Sequence, residues 1–315
     1  MSSPLRLMFG QASPAGERAR LTMLIFHRVL PEFDPIFPEE MHARRFDAVC
    51  GWLRRWFNVL PLDEAARRQR EGSLPARACC ITFDDGYADN LHVAAPILQS
   101  HGLSATFFIA TGFLDGGRMW NDTLIEAVRK SPLERLQLDG LGDYELGDAS
   151  RRRAVIDALI GKIKYLPVAE RLALTERVAR QAQVEPARDL MMSSAELRAL
   201  RASGMLIGAH TVSHPILARL DATEARREIA EGRDFLERLL GERIGLFAYP
   251  NGKPGVDYLP EHVQIVRELG FDAAVSTAWG AARRGSDDFQ LPRFTPWDES
   301  SWRFGLRLLG NLARA

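Results

Sequence analysis

Two adjacent carboxylates, Asp84 and Asp85, close a short apolar run over residues 78–83 and precede Gly86. The run is β-branched near its end and reads as a buried strand. Acids at the tip of such a strand are costly unless paired, hydrated or bound to a cation. Consecutive strand residues point to opposite faces, so one site can use both acids only if the backbone turns between them. Gly86 permits that turn. Two readings stand at this point: a site that uses its two acids differently, or a solvated Asp-Asp-Gly turn.

A second group, His210 and His214, follows a predicted strand over residues 205–209. Histidines four apart share a face if the segment makes a helical turn, which lets two imidazoles reach one cation. Two imidazoles and one carboxylate make a three-ligand site with positions open for water and substrate, the usual way of holding catalytic zinc. The Asp-Asp pair at another strand end tips the balance from structural histidines to a divalent metal.

The elements that must position these groups alternate along the chain. Residues 21–26 read as a strand ending at His27-Arg28-Val29. Residues 41–57 carry Phe46, Val49, Leu53 and Trp56 at helical spacing, and 62–70 form a second helix. A helix over 90–100 and a strand over 104–110 follow the strand at 78–83. Between about 116 and 190, charged helical segments occur without a convincing strand, so this stretch reads as a helical insertion hung on the sheet. Ser193 and Glu196 then form a capping box that starts a helix running to Ala202. Residues 221–240 make a long amphipathic helix whose alternating charges read as a solvated face. Strands over 244–248 and 273–276 flank a helix over 261–269, with 289–294 as one strand more. The order predicts an α/β fold, a closed or nearly closed β/α barrel, with each motif at the carboxyl end of a strand. Residues 1–20 read as a flexible tail, leaving 21–315 as a single barrel domain.

The motifs resemble those of the polysaccharide deacetylases with a NodB-homology domain, carbohydrate esterase family four. The resemblance is carried by Thr82-Phe83-Asp84-Asp85-Gly86 and His210-Thr211-Val212-Ser213-His214, with a looser third motif in Phe247-Ala248-Tyr249-Pro250-Asn251-Gly252. It spans about residues 27–293 and leaves the insertion and both termini unmatched. It implies a distorted (β/α) barrel in which Asp85, His210 and His214 hold a divalent metal, zinc before others. It further implies Asp84 as the general base and the Asn251 backbone N–H as an oxyanion donor. The third motif lacks the arginine that some members use to hold the base. Arg293, in Leu291-Pro292-Arg293-Phe294, resembles the late arginine of members with a Tyr-Pro-x-Gly version. His27, in Phe26-His27-Arg28-Val29, resembles the first-motif histidine of permuted members and suits a general acid, since an imidazole is the side chain that ordinarily changes charge near neutral pH.

The implied activity is metal-dependent hydrolysis of an N-acyl group, acetyl first, from an amino sugar or glycan. The alternatives are a hydrolase of a small non-sugar amide or imide, and a non-catalytic carbohydrate-binding protein. Tyr87, Tyr249, Trp279 and Trp297 stand near strand ends where they could stack on sugar faces, and Trp120 opens the insertion. His42, His92 and His101 fall on predicted helices and read as structural.

Composition bounds the rest. Lys plus Arg and Asp plus Glu both number 41, so the 315-residue chain has no net charge and no basic excess for nucleic acid. Three cysteines, two of them adjacent at 79 and 80, point to a reducing compartment rather than a disulfide framework. No apolar run reaches membrane length, and the expected location is the cytoplasm. Residues 301–315 place Trp302, Leu306, Leu309 and Ala313 on one helical face, with Arg303, Arg307 and Arg314 on the other. A basic amphipathic helix of this kind could lie on an anionic membrane surface.

Overall fold

The strands are β1 (Arg20–Phe26), β2 (Asn58–Val59), β3 (Ala78–Phe83), β4 (Thr106–Ile109), β5 (Arg135–Leu138), β6 (Gly142–Glu145), β7 (Leu206–Ala209), β8 (Leu246–Ala248), β9 (Ala273–Val275) and β10 (Ala282–Arg283), and the apolar runs supply β1, β3, β4, β7, β8 and β9. The helices are α1 (Pro4–Ala12), α2 (Ala43–Trp56), α3 (Leu62–Glu71), α4 (Ala95–Ser100), α5 (Trp120–Lys130), α6 (Ala149–Ile163), α7 (Val168–Gln181), α8 (Ser194–Ala202), α9 (Ala222–Leu240), α10 (Pro260–Glu268) and α11 (Ser301–Leu312). This computed structural model describes residues 4–314.

The main sheet runs β10-β1-β3-β4-β7-β8-β9, with β2 beside β3. All its pairings are parallel except β10 against β1. The two ends of the path are joined by the irregular segment 291–294. Leu291 bridges Val275, and Phe294 bridges Leu24. The sheet is therefore curled into the distorted barrel expected, with one non-strand stave where a regular strand over 289–294 was predicted. Pro292 has no N–H for a ladder, which accounts for the irregularity.

Side-chain parity on β3 sets up the site. Ala78 and Cys80 join the inner core with Leu21, Met23, Phe108 and Leu246. Cys79, Ile81 and Phe83 face the helices, where Phe83 packs on Phe26 and Phe107 at ring separations of 5.2 and 4.7 Å. Period-two alternation then sends the next inward position, Asp84, toward the barrel axis.

Three expectations need correction. Residues 4–12 are not a flexible tail: Leu5 and Phe9, four apart on α1, are buried, and the Phe9 ring lies 4.5 Å from that of Phe57. An i,i+4 apolar pair gives even a short helix something to dock. The insertion contains strands, because Leu136 and Leu138 alternate inward and Gly140, at φ +77°, turns β5 into β6. This hairpin and α5–α7 share a separate core around Leu124, Leu136, Ile156, Leu159 and Val178. On α11, the packed face is Phe304, Leu308 and Leu312, while Trp302 and Leu306 are exposed. That helix is apolar on more than one side, and the close approach of Gly305 to Leu5 selected the face. Among the described residues no helix is long and apolar enough to cross a membrane.

Candidate metal centre and active-site cleft

The two acids part company at the end of β3. Asp84 keeps extended parity and meets Arg293 on the closing segment: two guanidinium nitrogens donate to its two oxygens, each at 2.7 Å. Arg293 is fixed in turn by donating to Ser276 O at 2.9 Å and to Thr82 Oγ1 at 3.1 Å. Both partners are buried. Burial pushes the Asp84 carboxyl up, but the Arg293 charge and hydrogen bonds outweigh it and hold the carboxyl below its ordinary value. Asp85 instead takes φ +80°, which swings its side chain out of strand parity.

The histidine loop delivers its rings to Asp85. His210 Nδ1 donates to Ala248 O at 2.7 Å, leaving the Nε2 lone pair aimed into the site. His210 Nε2 and His214 Nε2 each stand 3.5 Å from Asp85 Oδ1. That oxygen is buried and has no hydrogen-bond partner. Ligands about 2.1 Å from one tetrahedral cation stand about 3.4 Å apart. The orphaned oxygen and two aligned imidazoles thus fit a divalent ion of zinc size, and the donor set of two nitrogens and one carboxylate oxygen suits it. Burial lowers the His214 pKa to about 4, so its ring is neutral and ligand-ready near pH 7. Burial acts the same way on His210, but Asp85 and Asp84 lift it above the ordinary value.

The loop is held by strain and by its neighbours. Four of the seven non-glycine residues with positive φ among the described residues are Asp85, Thr211, His214 and Asn251, all at this site. Such backbone persists only where the surroundings over-determine it. Here Glu228 of α9 accepts from the backbone N–H groups of Val212 and Ser213 at 3.0 and 2.8 Å. Gly232 lets the helix approach so closely that a Cβ there would lie 2.9 Å from Thr211 C and O.

His27, exposed after β1, and Asn251 line the same cavity of about 310 Å³ as the two acids and two histidines. No described protein group accepts from the Asn251 N–H, whereas its carbonyl accepts from Thr277 Oγ1 at 2.9 Å. The insertion supplies the opposite wall through Trp120, Asn121, Lys164 and Arg171. A second cavity of about 320 Å³ shares His27, Asp85 and Asn121 and reaches Tyr87 and Asp122.

The sequence model of the polysaccharide deacetylase family matches residues 71–140 and 169–274, more than half of the chain. The chain belongs to that family. It is 21% identical over 277 residues to YxkH of Bacillus subtilis, covering 87% of this chain and 71% of YxkH. It is 28% identical over 102 residues to the poly-β-1,6-N-acetyl-D-glucosamine N-deacetylase of Staphylococcus aureus, a match that spans 32% of this chain and 34% of that enzyme. Among solved structures, the Streptococcus pyogenes deacetylase PplD in complex with acetate superposes with a TM-score of 0.63, covering 93% of this chain and 98% of PplD. At 18% identity that likeness shows the fold.

Not every residue expected at the deacetylase site reaches the cleft. Tyr249 is buried, its ring stacked 3.8 Å from that of Tyr258 and its hydroxyl donating to Phe289 O, so it packs the barrel instead of meeting a sugar. Tyr87 is also buried, though it borders the second cavity. Its hydroxyl donates to Asp122 at 3.1 Å, and Arg28 covers its ring at 4.6 Å while pairing with Asp89. Trp297 and Trp279 are half-exposed but lie outside both cavities, with the Arg307 guanidinium 4.0 Å from the Trp297 ring centroid. Of the aromatics singled out, Trp120 and Tyr87 line the cavities. His92 and His101 pair with Glu196 and Asp47 at the surface.

Sequence reasoning missed Glu228 and Asp122. Glu228 was hidden among the alternating charges of a helix read as solvated. Asp122 sits in an insertion thought peripheral, and burial pushes its carboxyl up to about 7.

Proposed function

We propose that this protein is a metal-dependent N-deacetylase of an N-acetylated amino-sugar glycan, with zinc the first candidate metal. The observation that carries the reading is the division of labour between neighbouring acids. Asp85 faces two imidazoles with an unsatisfied oxygen, while Asp84 is clamped by Arg293 a residue away. A sugar-binding module has no use for that arrangement.

Asp85, His210 and His214 would hold the ion. A divalent cation bound there supplies Lewis-acid polarisation of the amide carbonyl and lowers the pKa of water. Asp84, kept ionised by Arg293, accepts the proton from the attacking water. Arg293 keeps that carboxylate in one orientation through its paired bonds. The Asn251 N–H, free of protein acceptors, donates to the oxyanion that forms as water adds to the carbonyl carbon. His27, at the rim, gives a proton to the sugar nitrogen as the C–N bond breaks, releasing acetate and a free amine. Trp120 and Asn121 supply the facing wall against which the sugar is oriented. The staphylococcal relative acts on poly-β-1,6-N-acetyl-D-glucosamine, which supports a glycan over a small amide or imide.

The test is acetate release from N-acetylglucosamine oligomers by purified protein, with metal content measured in parallel. Chelation should abolish turnover and zinc should restore it. Full activity in metal-free protein would overturn the reading. We further propose that the three buried, unbridged cysteines belong to a reducing compartment, the cytoplasm. A peripheral membrane contact through residues 301–315 is favoured by the exposure of Trp302 and Leu306 on α11 (Ala315 lies outside the described residues). Co-sedimentation with anionic vesicles, lost in Trp302→Ala/Leu306→Ala, would support it.

A further inference from the structure

The insertion wall that faces the proposed metal ligands is cationic, and nothing there balances it. Lys164 and Arg171 line the catalytic cavity. The same two residues line an adjoining cavity of about 320 Å³, where Arg219 joins them and no carboxylate is present. The carboxylates of the catalytic cavity are already engaged: Asp84 holds Arg293, and Asp85 faces the histidines. Elsewhere the chain balances its arginines closely, as where Arg118, Arg153 and Arg226 pair with Glu176, Glu39 and Glu268. Among the described residues, Lys164, Arg171 and Arg219 have no acidic partner within ion-pair distance.

Arg171 shows how far this imbalance goes. Its Nε is buried and donates to nothing. One terminal nitrogen donates to Lys164 O at 3.2 Å, and the guanidinium stands 5.0 Å from the centroid of the Trp120 ring. Burial depresses its pKa, the sign of a cation losing water without gaining an anion. A desolvated, uncompensated charge destabilises the chain that carries it. It becomes favourable when a ligand brings the missing anion, and a guanidinium fork matches the oxygens of phosphate or carboxylate.

We propose that Lys164, Arg171 and Arg219 form a subsite for an oxyanion, phosphate or carboxylate, that the substrate carries outside its reacting N-acetyl sugar. The proposal rests on the deacetylase reading and narrows it. The substrate class becomes an acidic or phosphorylated amino-sugar compound, since a neutral homopolymer of N-acetylhexosamine would leave the three cations unbalanced.

Calorimetric binding to the zinc-loaded full chain tests this without requiring turnover. Three probes separate the sources of the anion: chitotetraose is neutral, a tetrasaccharide alternating N-acetylglucosamine with glucuronate carries carboxylates, and UDP-N-acetylglucosamine carries a diphosphate. One anionic probe should bind at least tenfold more tightly than chitotetraose in 50 mM NaCl, and the advantage should shrink severalfold at 300 mM. The preference should vanish in Lys164→Gln/Arg171→Gln/Arg219→Gln. It should weaken about threefold in Arg219→Gln alone, an exposed position whose loss spares the fold. Equal affinity for neutral and anionic probes would overturn the proposal, as would a preference that survives the triple substitution. Tight anionic binding with no acetate released from any probe would support the subsite and count against deacetylation, so the two failures are distinguishable.

Discussion

The two walls of the cleft are built on different terms. The barrel wall is assembled from strand ends, and its groups are locked. Asp84 and Arg293 hold each other through paired bonds, His210 is pinned to Ala248 O, backbone is strained at Asp85, Thr211, His214 and Asn251, and α9 braces the histidine loop. The insertion wall belongs to a separate core and presents side chains with loose ends: Lys164 and Arg171 lack acids, and Asp122 is a buried carboxyl with a raised pKa. The proposed chemistry, which must place a proton and a cation to fractions of an ångström, would fall to the first wall. Recognition, which tolerates adjustment, would be left to the second.

Substitutions that break one wall and spare the other sharpen this contrast. The largest effect belongs to Asp85→Ala or His210→Ala, which should lose bound metal and reduce acetate release to background, as read by metal analysis beside the assay. Asp84→Asn should keep the metal yet lower kcat by about 10²–10⁴-fold. Unchanged turnover would remove Asp84 from the base role.

Arg293→Met should move the acid limb of kcat/KM to higher pH, because Arg293 is the largest of the charges that hold the Asp84 carboxyl below its ordinary value, ahead of His210 and His27. A carboxylate with a depressed pKa adds stability above its unfolded pKa and loses it as pH falls through the folded one. The stability gap between wild type and Arg293→Met should therefore be widest at neutral pH and narrow in acid. Leaving Asp84 buried and unpaired costs about 3–5 kcal/mol, measurable by denaturant titration.

On the insertion wall, Leu159→Ala opens a cavity in a fully buried position and should cost that sub-core about 2–5 kcal/mol. Metal content should stay at the wild-type level while KM for glycan rises. Loss of metal would show that the two walls are not separable. The smallest effect is expected for Asp122→Asn. Burial raises that carboxyl to about 7, so the folded chain binds the proton more tightly than the unfolded one. Stability is then lost as pH rises from the unfolded carboxyl range toward 7. The amide, which can still accept from the Tyr87 hydroxyl, should raise Tm at pH 8 and leave it unchanged at pH 4 in metal-free protein.

Much of the barrel was legible because its determinants are local. Apolar runs of strand length and helices with three-four spacing mark β1, β3, α2 and α9, and the Ser193–Glu196 capping box forms as its sequence implies, opening α8. The short hairpin β5–β6 escaped because only Leu136 and Leu138 mark its inner face, amid charged neighbours. Docking of α1 escaped because Leu5, Leu7, Met8 and Phe9 crowd one short segment without marking a single face, and the partners of Phe9 and Leu5 lie at Phe57 and Gly305. The aromatics were misjudged for a related reason. Tyr249 and Trp297 both stand near strand ends, but which side of the stave each faces depends on what packs against it.

The sequence by itself determined which residues could bind a cation and which apolar periods would carry them to strand ends, because ligand chemistry and side-chain periodicity are properties of the local chain. Only the tertiary structure decided that Arg293, from the irregular stave, clamps Asp84 across more than two hundred residues. It also decided that Asp85 turns away to the histidines and that an insertion closes the cleft with unbalanced charge. Those outcomes depend on distances between segments remote in sequence, and closing the sheet is what sets such distances.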